Sequence, residues 1–403
     1  MSPAYPQTLP VLRAEASPIA VLRDLTRMLL LLLVFTIPWE DQFVIGGLWT
    51  VSRIVGIATF AVGMLAVIAD GRLRVPRPIH LVLGIFAVWI GLTAFWSINL
   101  DFTIYVLQTW AQLIALLWVI FEFAPARGDQ IGLLRAYVLG TCVSAVGTLI
   151  SYAQESSAYW ERSVARGFDP NDLCVILVLS IPMSFYLMAV DSKGFRVWLW
   201  RLHPALILAA AVLTASRGGF IALCGAALIV PLLFRAFSFD TKNAMAMGVV
   251  LVLAGLLLYS PATSLERIAS IPQEVSGGSF GERGAIWRAG WEIFQAHPVA
   301  GAGIGAFATA VSSILGEAIV AHNAFLTVLV ETGLVGFVLF AGALCLMVGR
   351  IRRLEWIERR FWSVILLTWF LGAMSLSWAH RKPTWLLFGM IAAAGQSAWE
   401  KRK

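Results

Sequence analysis

The chain has 403 residues, 59% of them hydrophobic and only 13% charged, with a formal net charge of +7. A soluble domain carries about 25% charged residues, so a water-soluble globular protein of this length is excluded. The apolar residues come in unbroken blocks of about 17–22, which suits α-helices crossing about 30 Å of hydrocarbon and excludes a β-barrel with its alternating pattern.

Residues 1–24 are polar and contain prolines, and they read as a cytoplasmic tail. The first five spans are expected at 25–43, 50–69, 79–97, 103–123 and 132–152. The first apolar run, Met28–Ile37, is followed by Pro38-Trp39-Glu40-Asp41 and no small-residue cleavage site, so it reads as a retained helix. A polar loop at 152–171 leads to spans at 172–190, 198–215, 219–236 and 244–260. Residues 261–320 then form a large extracytoplasmic loop with a short helix at Gly284–Ala296. A helix bearing the pair His322-Asn323 covers 321–348, and the last spans cover 361–377 and 384–399. The expected fold is therefore all-α: one integral membrane domain over 1–403 with about 12 transmembrane helices, the large loop lying between helices 9 and 10.

An even count puts both termini on one side. With that side cytoplasmic, Arg72, Arg74, Arg77, the dense run Arg350–Arg360 and Lys401-Arg402-Lys403 are inside, and the outer loops hold far fewer cations. The basic balance thus reads as a topology marker and not as a nucleic-acid surface. Cys142, Cys174, Cys224 and Cys345 lie inside apolar blocks without CxxC spacing, so neither a disulfide framework nor a zinc site is expected.

The basic residues that remain outside stand against this bias. Arg217, in Thr214-Ala215-Ser216-Arg217-Gly218-Gly219, is either an interfacial anchor or a group that small neighbours let a ligand approach. Arg166 precedes Gly167-Phe168-Asp169-Pro170-Asn171, where Asp169 or Asn171 can cap the next helix. Arg288 and Glu292, four apart, form a default helix pair, and Trp287 and Trp291 suit interface anchoring or sugar stacking. The run Gly301-Ala302-Gly303-Ile304-Gly305 lacks Gly-Lys-Ser/Thr and reads as a tight turn, not a phosphate loop. His322 is a candidate base, with an ordinary histidine at the headgroup level as the alternative; His297 precedes a proline and suits a structural role. Glu331 is expected on the far face of the same helix, shaping it together with Gly333 and Gly336. No Asp-x-Asp and no outer His/Asp cluster offers a metal site, so the arginines point to an anionic substrate such as a lipid-linked pyrophosphate.

At these residues the sequence resembles the O-antigen ligase/polymerase family of bacterial envelope glycan assembly. The matching elements are Arg166–Asn171, Ser216-Arg217-Gly218, Arg283 with Trp287, the run from His297 to Gly305, and His322-Asn323 followed by Glu331, Gly333 and Gly336, all in the family's order. The resemblance implies a metal-independent glycosyltransferase of the bacterial inner membrane with no cofactor. Its donor would be a glycan on polyprenyl (undecaprenyl) diphosphate, and its acceptor a glycan or lipid-A core at the periplasmic face. Carried over, Arg217, Arg283 and His322 are the catalytic candidates, and Arg166, Arg288, Asn171 and Asn323 would bind substrate. A ligase is the favoured description and a repeat-unit polymerase the alternative. A lipid-linked sugar transporter is the rival of another class, disfavoured because the polar residues gather on one face.

Overall fold

A computed structural model describes residues 17–46, 49–154, 162–191, 194–233 and 283–394, with isolated positions between 236 and 247. The span expected at 244–260, the first part of the large loop and the two chain ends lie outside the described residues. Helices dominate the described residues. α1 is Pro18–Thr36, α2 Val51–Asp70, α3 Pro78–Leu92, α4 Leu100–Phe123, α5 Arg127–Gln154, α6 Pro170–Val190 and α7 Phe195–Leu213. α8 is Arg217–Ala227, α9 Ile229–Leu233, α10 Arg283–Ala296, α11 Phe307–Leu315, α12 Ala324–Ile351, α13 Trp356–Ala373 and α14 Lys382–Ala393. A two-residue antiparallel pair, β1 (Val44–Ile45) and β2 (Trp49–Thr50), follows α1.

Seven of the described helices are long and apolar enough to cross a membrane: α2 to α7 and α12, with α3 extended to Phe95 by a 3-10 turn. The protein is a multi-pass membrane protein. α1 carries Arg23, Asp24 and Arg27, α13 opens on Glu358, Arg359 and Arg360, and α14 is short, so these apolar helices fall outside that count.

α6 is the hub. It is apolar on every face, as a helix enclosed by others must be, and 89% of its span is buried against α5, α7, α8 and α13. The opposite ends of the bundle differ in character. At one end Arg23 binds Asp70 and Glu122, Arg127 binds Glu358 at 2.9 Å, and Arg135 binds Asp191. At the other end lie the C-terminus of α7 and the N-termini of α6, α8 and α12, where the sequence motifs fall.

The expected unbroken helix from His322 is corrected by the structure. Gly333 sits at φ 65° and ψ −168°, which only glycine adopts readily. The rings of Phe325 and Phe340 are 6.2 Å apart, whereas an unbroken helix would separate those residues by about 22 Å. The chain therefore folds back at Gly333, and Ala324–Thr332 is a separate half-helix. The glycine run fills the fold: Ala302 N donates to Val330 O at 2.9 Å and Gly303 N to Glu331 O at 3.0 Å, with Gly301, Gly303 and Gly305 all at positive φ. Glu331 is buried, and its carboxylate accepts from Phe307 N at 3.2 Å, capping α11, a helix the sequence pattern did not indicate. Glu331 thus serves the start of α11, reached through this fold, and not one straight helix of its own.

Candidate functional site

Four of the motifs sit at helix starts. Asp169 caps α6, accepting from the backbone N–H of Asn171 and Asp172. Ser216 caps α8 and places Arg217 at its first position. Arg283 opens α10, and Asn323 caps α12 by accepting from Phe325 N and Leu326 N. Helix N-termini carry partial positive charge and favour anions, so cationic side chains and helix dipoles add at this end of the bundle.

The electrostatic neighbours show which of these starts come together. The charge of Arg283 is opposed first by burial and then by Arg217, while Asp169 supports it. His322 lies below the usual imidazole range, first through burial and then through Arg283; Asp169 and Asp172 pull the other way. Arg217, Arg283, His322, Asp169 and Asp172 thus form one group. Among the described residues no hydrogen bond or ion pair engages the side chains of Arg283 or His322, and both are half-buried. His322 has φ 47°, and Ala215, two residues before Arg217, has φ 48°. Among the described residues these are the non-glycine positions at positive φ, a strain of about 1–3 kcal/mol each that gathers at functional sites.

The local sequence explains the placement. Trp287, one turn after Arg283, donates its indole N–H to Ala321 O at 2.9 Å, which ties the start of α10 to the residue beside His322. The spacing Arg-x-x-x-Trp is therefore a mooring, where the sequence left open anchoring or sugar stacking. Gly218 and Gly219 let protein in, not ligand: a Cβ at Gly219 would overlap Cys174 Sγ, and one at Gly218 would overlap Ser375 Oγ.

The remaining candidates stand elsewhere. The Asn171 carboxamide oxygen accepts from Arg162 at 2.7 Å and from Ser216 at 2.9 Å, so it frames the site. Asn323 is buried and its carboxamide oxygen serves the helix cap. Arg166 is exposed beside Gly167, whose positive φ lets the loop lie on the Asp41 backbone. Arg288 is exposed too, and among the described residues no ion pair joins it to Glu292. The charges that act on Arg283 and His322 come from Arg217, Asp169 and Asp172, not from Arg166 or Arg288.

Sequence reasoning missed Arg162, Asp172, Arg381 and Lys382. Arg162 also donates to Thr214 O at 2.8 Å, sealing the loop to the end of α7. Asp172 accepts from Trp378 Nε1 at 2.9 Å and from Arg381. Lys382 binds Glu40 and Ser52, which draws the end of α1 to the start of α14. Lys382 and Glu40 are 342 positions apart, so no local spacing signals such a partnership. Among the described residues, no three His, Cys, Asp or Glu side chains gather in a metal-binding arrangement.

Fold and site together define a polytopic helical membrane protein with two arginines, a histidine and two aspartates grouped at one end of its bundle. Residues 205–341 match the family model described as O-antigen ligase, which supports the resemblance of the chain to the O-antigen ligase/polymerase family. The matched family is one of ligase- or polymerase-type membrane enzymes with glycosyltransferase-like activity. No curated protein matches the chain. The matched segment takes in Arg217, Arg283 and His322, and leaves Arg166, Asn171 and Arg381 outside it.

Proposed function

We propose that the protein transfers a glycan from polyprenyl diphosphate to an acceptor hydroxyl at the periplasmic face of the bacterial inner membrane, as a ligase of surface-polysaccharide assembly. The observation that carries this reading is Arg283. A half-buried guanidinium with no partner among the described residues, set beside a second arginine, is an arrangement that an incoming diphosphate would relieve. The acceptor oxygen attacks the anomeric carbon, and the bond from that carbon to the diphosphate oxygen breaks. The acceptor proton passes to His322, and the leaving diphosphate keeps the electron pair and is held by Arg217 and Arg283. Stabilisation of leaving-group charge by fixed cations is a large catalytic term, and the reaction needs neither ATP nor a metal to balance.

Purified protein given a polyprenyl-diphosphate glycan and candidate acceptors, with chelator present, is expected to form product. Arg217→Ala and His322→Ala are each expected to abolish it. Activity that survives both substitutions overturns the site, and activity lost only in chelator overturns the metal-free step. Transfer to a lipid-A core supports the ligase reading, while extension of repeat units in its place assigns the polymerase reaction.

A further inference from the structure

The turn between α13 and α14, residues 374–381, lies outside the family-matched segment yet touches the starts of α6 and α8 and the half-helix that follows His322. Ser375 lies against Gly218, next to Arg217. Thr327, on the half-helix that follows His322, donates to Ser377 Oγ at 3.3 Å. Trp378 and Arg381 take one oxygen each of the Asp172 carboxylate. Arg381 Nη1 also lies 3.9 Å from Asp41 Oδ2.

With both oxygens engaged, Asp172 is not placed to accept a proton. Its negative charge still reaches His322 through space. A carboxylate near an imidazole favours the charged imidazolium, which is useless as a base. We propose that Arg381, by pairing with Asp172, is a positioning residue that offsets this negative charge and keeps His322 available as a proton acceptor. The inference rests on the reading of His322 as the base on the acceptor side.

The groups around His322 set the direction of the effect. Arg283, from α10, opposes the imidazolium; Asp169 and Asp172, at the start of α6, favour it. Arg217, from α8, acts on Arg283. From the 374–381 turn, Arg381 faces Asp172, and His380 is itself held neutral, down at about 4, by burial and then by Arg381. Removing the Arg381 charge leaves Asp172 uncompensated, so His322 should bind its proton more tightly.

Two readouts test this in the full-length protein. The first is the rate at which diethyl pyrocarbonate modifies the His322 peptide as a function of pH, followed by mass spectrometry, since only neutral imidazole reacts. The second is the acidic limb of the transfer rate. Arg381→Gln is expected to move both midpoints up by about one pH unit, and Arg381→Lys to restore them. Asp172→Asn is expected to move both down, and the double variant to return towards the parent. General loosening of the fold does not generate shifts of opposite sign. Midpoints that stay put in Arg381→Gln and Asp172→Asn overturn the proposal, as does a loss of rate with an unchanged profile. The modification arm reads His322 without the reaction, so a His322→Ala enzyme that still transfers glycan sinks the assignment of the base and leaves the charge coupling to be judged separately.

Discussion

Arg283 and Arg288 share one helix and one charge, yet the structure gives them different work. Five residues turn an α-helix by about 140°, so Arg283 meets Arg217 and His322 while Arg288 points to the surface. Arg283→Ala is expected to lower the transfer rate by about 100-fold or more, the range for removing one group that stabilises transition-state charge. Arg288→Ala should leave it within a few-fold. Because burial and then the Arg283 charge hold His322 down, losing that charge raises the imidazole midpoint. The acidic limb of the remaining activity should then move to higher pH, and an unmoved limb would show that the two groups do not communicate. Asp41 supplies a separate stability test. Burial, followed by the neighbouring Glu40, pushes its carboxyl up from 3.8 to about 6. A carboxyl raised in the folded state costs stability as pH climbs through the interval between its unfolded and folded values, and the cost then stays. Asp41→Asn should therefore unfold at higher temperature than the parent above pH 6, and the difference should shrink towards pH 4. An advantage that grew instead on acidification would contradict this placement of Asp41.

At the scale of elements, the site depends on a mooring and a fold-back. Trp287→Phe keeps the ring and removes the bond to Ala321 O, a change of about 1 kcal/mol in stability. Its larger effect should fall on kcat, because the start of α10 would no longer hold Arg283 against His322. A variant with unchanged kcat would show that the mooring is not needed for transfer. Gly333→Ala should be far worse. Its backbone conformation is close to glycine-only, and a Cβ there would run into Val299 O. Failure to accumulate as a folded, monodisperse protein is expected, and a well-behaved variant would refute the fold-back. These two elements also show what was readable beforehand. The apolar blocks gave most helices within a few residues, because hydropathy over a span is a strong local signal. Ser216-Arg217, Arg283 with Trp287, and His322-Asn323 were visible because each motif lies within a few residues. The break at Gly333 was not, since a lone glycine inside an apolar helix usually continues it. Arg381 escaped because its partner Asp172 is 209 positions away. Arg166 and Arg288 looked equal to Arg217 because a charge in a sequence carries no direction.

At the scale of the whole molecule, the two ends of the bundle bear different kinds of charge. The end formed by the start of α1 and the ends of α2 and α4 gathers Arg23, Arg27, Asp70, Arg74 and Glu122, and the start of α13 adds Arg359 and Arg360. Loops rich in arginine and lysine stay cytoplasmic, so this end should face the cytoplasm and the cluster at His322 should face outward. The orientation matters to the chemistry, because a lipid-linked donor displayed outside has no access to ATP and must carry its own leaving group. Two exposed arginines at opposite ends make this measurable: Arg166 beside the site, and Arg353 after α12. In a background with Cys142, Cys174, Cys224 and Cys345 replaced, Arg166→Cys should react with a membrane-impermeant maleimide in right-side-out vesicles and resist it in inverted ones. Arg353→Cys should do the reverse. If both react from the same face, the bundle does not run from one side of the membrane to the other as described. If the two patterns are exchanged, the site faces the cytoplasm, and the outward-facing transfer proposed for this protein is wrong even where the residues are right.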